Sequence, residues 1–211
     1  MKENKNIGVI TGDLIRSSGL SEKQKASLKA RVESFTDNNP DVLLPLQFYR
    51  GDSFQLMCTK EKAAWLAIMI QAIIISTAET MARMSIGIGQ VSRIHEKDVL
   101  QSEGEAFLLS GHQLDEMKSE GRIFKIAVNH KEIRESLEIA TLLAEKIMMD
   151  WKPGQASVIA MIPRAETQRA IAGKLDISPA AVSKTLKSSN WNAINQYIIW
   201  YENMIKKTDH E

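Results

Sequence analysis

One cysteine, Cys58, stands among 211 residues. No disulfide can form within the chain, which excludes a small cross-linked secreted scaffold. Cys58 lies in an apolar run and reads as a small buried hydrophobe rather than a reactive thiol. Aromatic residues make up only 6%, too few for a surface built on stacking bases, as single-strand binders use. Charge of one sign is also lacking: 27 Lys and Arg against 26 Asp and Glu leave a net charge of +1. Any affinity for nucleic acid must therefore come from a local patch. The opening Met-Lys-Glu-Asn-Lys-Asn is polar and lacks the apolar core of a signal peptide. The most apolar stretch, 63–76, is interrupted by Gln71. It falls short of the ~20 residues that span a bilayer, so it reads as a buried helix. These absences point to a cytoplasmic protein with no membrane partner.

What is present is ordinary globular composition, 44% apolar and 25% charged, enough to build a core. Residues 7–11 are short, apolar and β-branched, a strand bounded by Gly12-Asp13. Residues 21–35 have helical period, with Ser21 as N-cap. Strands at 46–49 and 54–57 flank Arg50-Gly51-Asp52-Ser53, a hairpin. A long helix follows at 61–81. The strand at 84–91 carries Gly87 and Gly89, a sign of a bulge or of close approach by another element. A helix at 103–118 has Glu103 and Glu105 in its first turn, where acids favour the dipole, and a strand at 123–128 follows. The order predicts an α+β fold: an N-terminal sheet of ferredoxin-like or polymerase-palm type, leaning antiparallel, with helices on one face. Near residue 130 the strand signals stop. The chain thus divides into an α+β part, 1–129, and an all-helical part, 130–211, beginning with a helix at 131–149.

The helical part contains TQRAIAGKLDISPAAVSKTLKS, 167–188, which has the residue types a helix-turn-helix needs at the spacing it needs them. Ile171, Leu175, Ile177, Val182 and Leu186 are placed to fill its core. Ala172 is small where the helices approach. Asp176 falls at the turn, where a left-handed residue is required. Ser178 caps the second helix and Pro179 takes its first turn. Candidate DNA contacts are Thr167, Gln168, Arg169, Ser178, Pro179, Ala180, Ser183, Lys184 and Lys187. Between Arg164 and Ser188 stand Arg164, Arg169, Lys174, Lys184 and Lys187 against Glu166 and Asp176, the local basic patch that duplex binding requires. The aromatic residues that follow, Trp191, Tyr197, Trp200 and Tyr201, read as core or dimer face.

Two carboxylates carry the other candidate chemistry. Asp13 follows the first strand and Asp52 sits at the hairpin. In a palm-type sheet these places converge, and two carboxylates there can hold Mg or Mn with a nucleotide triphosphate. The same residue types are what turns need in any case. Arg16, Ser17, Ser18 and Arg50 lie near both in sequence and are candidate phosphate contacts. His95, His112, His130 and His210 show no metal-ligand spacing, so no zinc site is expected.

Several blocks together resemble the SatD family of bacterial proteins: VITGDLIRSS (9–18), FYRGDSFQL (48–56), MSIGIGQV (84–91), SEGEAFLLSGHQLDEMK (102–118), and the helix-turn-helix with Asn190-Trp191. The resemblance covers nearly the whole chain and implies DNA-binding regulation. The first part is also distantly similar to class III nucleotide cyclases, whose two metal-binding aspartates Asp13 and Asp52 match. Ile86, Gly87 and Ile88 match the cyclase Ile-Gly-Ile strand, and Gly104 and Ala106 the start of the next helix. Leu108 stands where the cyclases have a catalytic asparagine, and His112 where they have arginine. Those groups stabilise charge on the transferred phosphoryl group. Leucine cannot do so, and a mostly neutral histidine does so only in part. The sequence thus points to a homodimeric, DNA-binding transcriptional regulator whose first part senses a nucleotide or metal without turnover. A metal-dependent enzyme acting on a nucleotide triphosphate is the alternative, and a helical module docking onto protein is a third.

Overall fold

The computed structural model describes residues 6–96, 98–164 and 167–207. Strand β1 (Ile7–Leu14) is buried at all but one position, and a strand of that kind needs cover on both faces. Helix α1 (Glu22–Thr36) starts in a capping box in which Ser21 and Gln24 satisfy each other's backbone N–H groups. The hairpin of β2 (Val42–Tyr49) and β3 (Ser53–Cys58) follows, then α2 (Ala63–Ala78) and β4 (Ala82–Gly89). A small ribbon pairs β5 (Val91–Arg93) with β6 (Glu103–Gly104). Helix α3 (Glu105–Glu120) and β7 (Phe124–Val128) complete the sheet.

The strand order is β2-β3-β1-β4-β7. The first four strands are antiparallel to their neighbours, in the ferredoxin-like arrangement, and β7 is added parallel to β4 at the edge. The α+β expectation holds. The expectation of helices on one face holds only for α1 and α2. Ile10, Leu14, Ile86 and Ile88 face those helices, whereas Val9 meets Ala106 of α3 and Thr11 hydrogen-bonds Ser110 of α3 at 2.8 Å. One face is already filled by α1, α2 and the later helices, so α3 takes the other. Gly87 makes that possible, because a Cβ there would lie 2.1 Å from the Ala106 carbonyl oxygen.

Helix α4 (Lys131–Met149) spans the range read from the sequence. It leads to α5 (Pro153–Ala160), α6 (Gln168–Leu175), α7 (Pro179–Ser188) and α8 (Trp191–Lys206). The sheet ends just before residue 130, but the apolar core runs on across that point. One cluster joins Ile10, Leu56 and Ile70 to Met148, Ile159, Tyr201 and Ile205. Helix α2 is its centre. With the 3-10 turn before it, the helical run reaches 19 residues, Lys60–Ala78, long and apolar enough to cross a bilayer. The helix expected at 61–81 thus ends three residues earlier, and the apolar run extends beyond the 63–76 stretch. Here nearly all of α2 is buried among the protein's own elements.

Candidate functional site

The helix-turn-helix is assembled as its residue types require. The Thr167 side chain accepts from the Ala170 N–H at the start of α6, and Ser178 accepts from the Ala181 N–H at the start of α7. Both hydroxyls keep their proton to donate elsewhere. Asp176 is left-handed, with φ 53°, and the Ile177 N–H closes the turn on the Ala172 carbonyl at 3.0 Å. Ile171, Ala172 and Val182 are buried together with Val158 of α5, and Leu175 and Leu186 pack partly buried against them. Ile177 departs from its expected core role: it is 39% exposed. The left-handed step turns the chain outward there, and Val158, from a helix the sequence reading had not included, completes the small core.

Thr167, Gln168, Arg169, Ser178, Pro179, Ala180, Ser183, Lys184 and Lys187 are all exposed. Arg169, Lys184 and Lys187 hold no ion pair among the described residues. Glu166, the side chain of Arg164 and His210 lie outside the described residues. The unit is mounted firmly. The Trp151 indole N–H donates to the Ser189 carbonyl at 2.9 Å, Tyr197 shares a hydrogen bond with Thr141 at 2.9 Å, and the Tyr201 hydroxyl donates to the Lys60 carbonyl at 2.7 Å. Trp151, Tyr197 and Tyr201 are core, and Trp191 and Trp200 pack partly buried against it.

At one end of the sheet, β1 and the hairpin converge as expected. The Leu14 N–H donates to the Asp52 carbonyl at 3.1 Å, and Asp13 lies opposite Ser53 in the ladder. Asp13 is inside β1 rather than after it, because the strand runs three residues beyond 7–11. The Ser17 hydroxyl donates to Asp52 Oδ2 at 2.6 Å, while Arg16, Ser18 and Arg50 are exposed on the two adjoining loops. The sequence reading missed the partners of Asp13. Arg83, opposite it on β4, approaches both carboxylate oxygens at 3.1 and 3.2 Å, and Lys118 of α3 stands 3.8 Å away. Nothing in the local pattern signals them, since cross-strand register decides the first and the packing of α3 on the sheet the second.

This arrangement bears on the Mg or Mn expectation. A hard cation needs carboxylate oxygens turned to one point and free of competing charge. Asp13 is already neutralised by a guanidinium and an ammonium, so the residues present do not fit a divalent ion there. Among the described residues no group of three His, Cys, Asp or Glu is gathered for a metal. At that end of the sheet Arg83 and the exposed Lys118 are taken up by Asp13, and Lys118 also by Asp115 at 3.4 Å, while Arg16 and Arg50 stand exposed at the rim.

Leu108 and His112 lie toward the other end of α3. They line a groove of about 1070 Å³ with Gln90, Glu105 and Asn129, and a single copy does not bring them to Asp13. Glu105 does more than complement a dipole: its side chain accepts from the Gln90 N–H at 3.2 Å and from the Asn129 amide. Glu103 lies in β6, not in a helix, and pairs with Arg93 at 2.8 Å. On α4, buried Glu145 takes the Arg122 Nε–H at 2.5 Å and the Ile123 N–H at 3.1 Å. Burial disfavours the Arg122 cation, but hydrogen bonds and charge from Glu138 and Glu145 outweigh it and raise its pKa.

The family model that matches residues 7–198 is that of the SatD family. The chain belongs to the SatD family. No protein of curated function matches this SatD member. Its fold is distantly similar to two solved structures of a bacterial light-regulated adenylyl cyclase, each 12% identical over 57% of this chain, with TM-scores of 0.41 and 0.39. It spans 42% of the first of those chains and 74% of the second.

Proposed function

We propose that this SatD protein is a cytoplasmic, homodimeric DNA-binding regulator. The observation that carries the reading is the exposed, cation-bearing face of α7 on a correctly capped helix-turn-helix. Short side chains at the start of α7, Pro179 and Ala180, let that end enter the major groove. Lys184 and Lys187 follow one turn apart on the exposed side, within reach of base edges or phosphates. The Thr167 and Ser178 hydroxyls and the amides beside them suit flanking phosphates. We further propose that the α+β part is a sensor and not an enzyme. Arg16, Ser17, Ser18 and Arg50, of which both arginines are exposed, suit the phosphates of a nucleotide effector held without a metal.

The test is fluorescence anisotropy of the whole protein against genomic DNA fragments over a salt series, with and without ATP or GTP. Selective binding that weakens steeply with salt is the expected result. Lys184→Ala and Lys187→Ala are each expected to weaken binding and to lower the salt slope by about one. Affinity and slope unchanged in both variants would remove α7 from the interface. A nucleotide-dependent shift that Arg50→Ala abolishes would make the sheet end the sensor.

A further inference from the structure

Helix α4 buries one side in the core, through Ile133, Leu137, Ala144 and Met148. Its opposite side does not look like the solvated face of a surface helix. Ile139 and Leu143, four residues apart and so stacked on one stripe, are 55% and 63% exposed. The stripe continues at helical spacing through Glu132 and Glu135 before them and Lys146 after them. All three charges are exposed, and none has an ion-pair partner among the described residues. Beside the stripe lies a groove of about 620 Å³ lined by Ile139 and Leu109 together with His112, Glu116, Arg134 and Glu135. Two large apolar side chains held side by side in water, flanked by charge, mark a candidate interaction site.

The order of charges along the stripe selects the partner. It reads acid, acid, apolar, apolar, base. Laid parallel, two such stripes would set acid on acid and base on base. Laid antiparallel about a two-fold axis midway between Ile139 and Leu143, they set Ile139 of one copy against Leu143 of the other, and Glu135 beside Lys146. A two-fold interface must be complementary to itself, and this stripe is. Asp150, opposite Glu132 in that register, lies past the end of α4, where helices crossing at about 20° have begun to diverge.

We propose that α4 is the two-fold interface of a homodimer, packing antiparallel on α4 of a second copy. The inference deepens the regulator reading above by naming the surface that pairs two helix-turn-helix units. It is tested without DNA: a dimer that survives Leu143→Glu would overturn this surface and leave the regulator reading standing, whereas loss of salt-dependent DNA binding would overturn that reading and leave the surface standing. Sedimentation velocity of the full chain at about 1–50 μM is expected to show a species of twice the 23.6 kDa chain mass. Leu143→Glu, at an exposed position, is expected to give a monomer with an unchanged circular dichroism spectrum. Glu135→Lys and Lys146→Glu are each expected to raise the dimer dissociation constant several-fold, and the two together to restore it. In oxidised mixtures, Ile139→Cys is expected to cross-link to Leu143→Cys more readily than either variant to itself. A monomeric wild type, or a dimer that survives Leu143→Glu, would overturn the proposal.

Discussion

The three tyrosines in the sequence report on burial one side chain at a time. Burial raises the pKa of Tyr197 and Tyr201, with the hydrogen bond shared with Thr141 opposing the rise for the former. Tyr49 is also raised, first by burial and then by Asp13 and Asp115, with Arg50 opposing. A phenol whose folded pKa exceeds its unfolded one stabilises the fold while neutral. Its contribution is complete below the unfolded value, about 10, and is lost as pH rises beyond it. Absorbance at 295 nm should therefore show at most the half-buried Tyr49 ionising while the circular dichroism stays native; the steps of buried Tyr197 and Tyr201 should arrive together with alkaline unfolding. A full-amplitude step in native protein would show these rings to be more accessible than described. Residue-scale legibility was uneven. Cys58, the caps at Ser21 and Ser178 and the left-handed Asp176 could be read directly, because each depends on its immediate neighbours. Arg83 beside Asp13 and Glu145 beside Arg122 could not, because those pairs are separated by 70 and 23 positions and are set by register and packing.

At the scale of elements, α3 against the sheet is the contact most sensitive to one methyl group. A Cβ at Gly87 would also come within 2.6 Å of the Ser110 amide nitrogen, and a helix backbone cannot yield as a flexible side chain can. Gly87→Ala should cost about 1–3 kcal/mol by overpacking, read from the urea midpoint. Gly111, on the same helix, has nothing within 4 Å of its would-be Cβ. Gly111→Ala should instead stabilise by about 0.5–1 kcal/mol, by restricting the unfolded chain and favouring helix. Two changes of equal sign would contradict the packing described for α3. The glycines of β4 had suggested close approach by another element without naming it. Helix α4 was legible end to end because its period is regular and Trp151-Lys152-Pro153-Gly154 stops it. The ribbon of β5 and β6 was not, since strands of three and two residues are too short to show a period. The face taken by α3 was also hidden, because it depends on what already covers the other face.

For the molecule as a whole, α2 is the hub, packed against the sheet on one side and against α5 and α8 on the other. With one cluster spanning both halves of the chain, unfolding by heat should be a single transition, with calorimetric and van't Hoff enthalpies in agreement. A fragment ending at residue 129 keeps every strand but loses α4, α5 and α8. It should bind hydrophobic dyes and aggregate. A monomeric, dye-silent fragment with the native strand signal would show that the first half is self-sufficient. The break in composition near residue 130 marks where strands end, and sequence alone cannot show that later helices return to cover an earlier one.

That return sets a schedule for the growing chain. Helix α2 is complete at Ala78, but the helix that closes over it ends at Lys206. At about 5–20 residues per second, the ribosome needs roughly 6–25 s to make the intervening stretch. For most of that interval an almost wholly apolar helix, long enough to resemble a membrane span, stands outside the exit tunnel without its final neighbours. Yield in the cell is therefore expected to depend on how well chaperones shelter the nascent chain during those seconds, and to suffer most from changes that delay translation between α2 and α8.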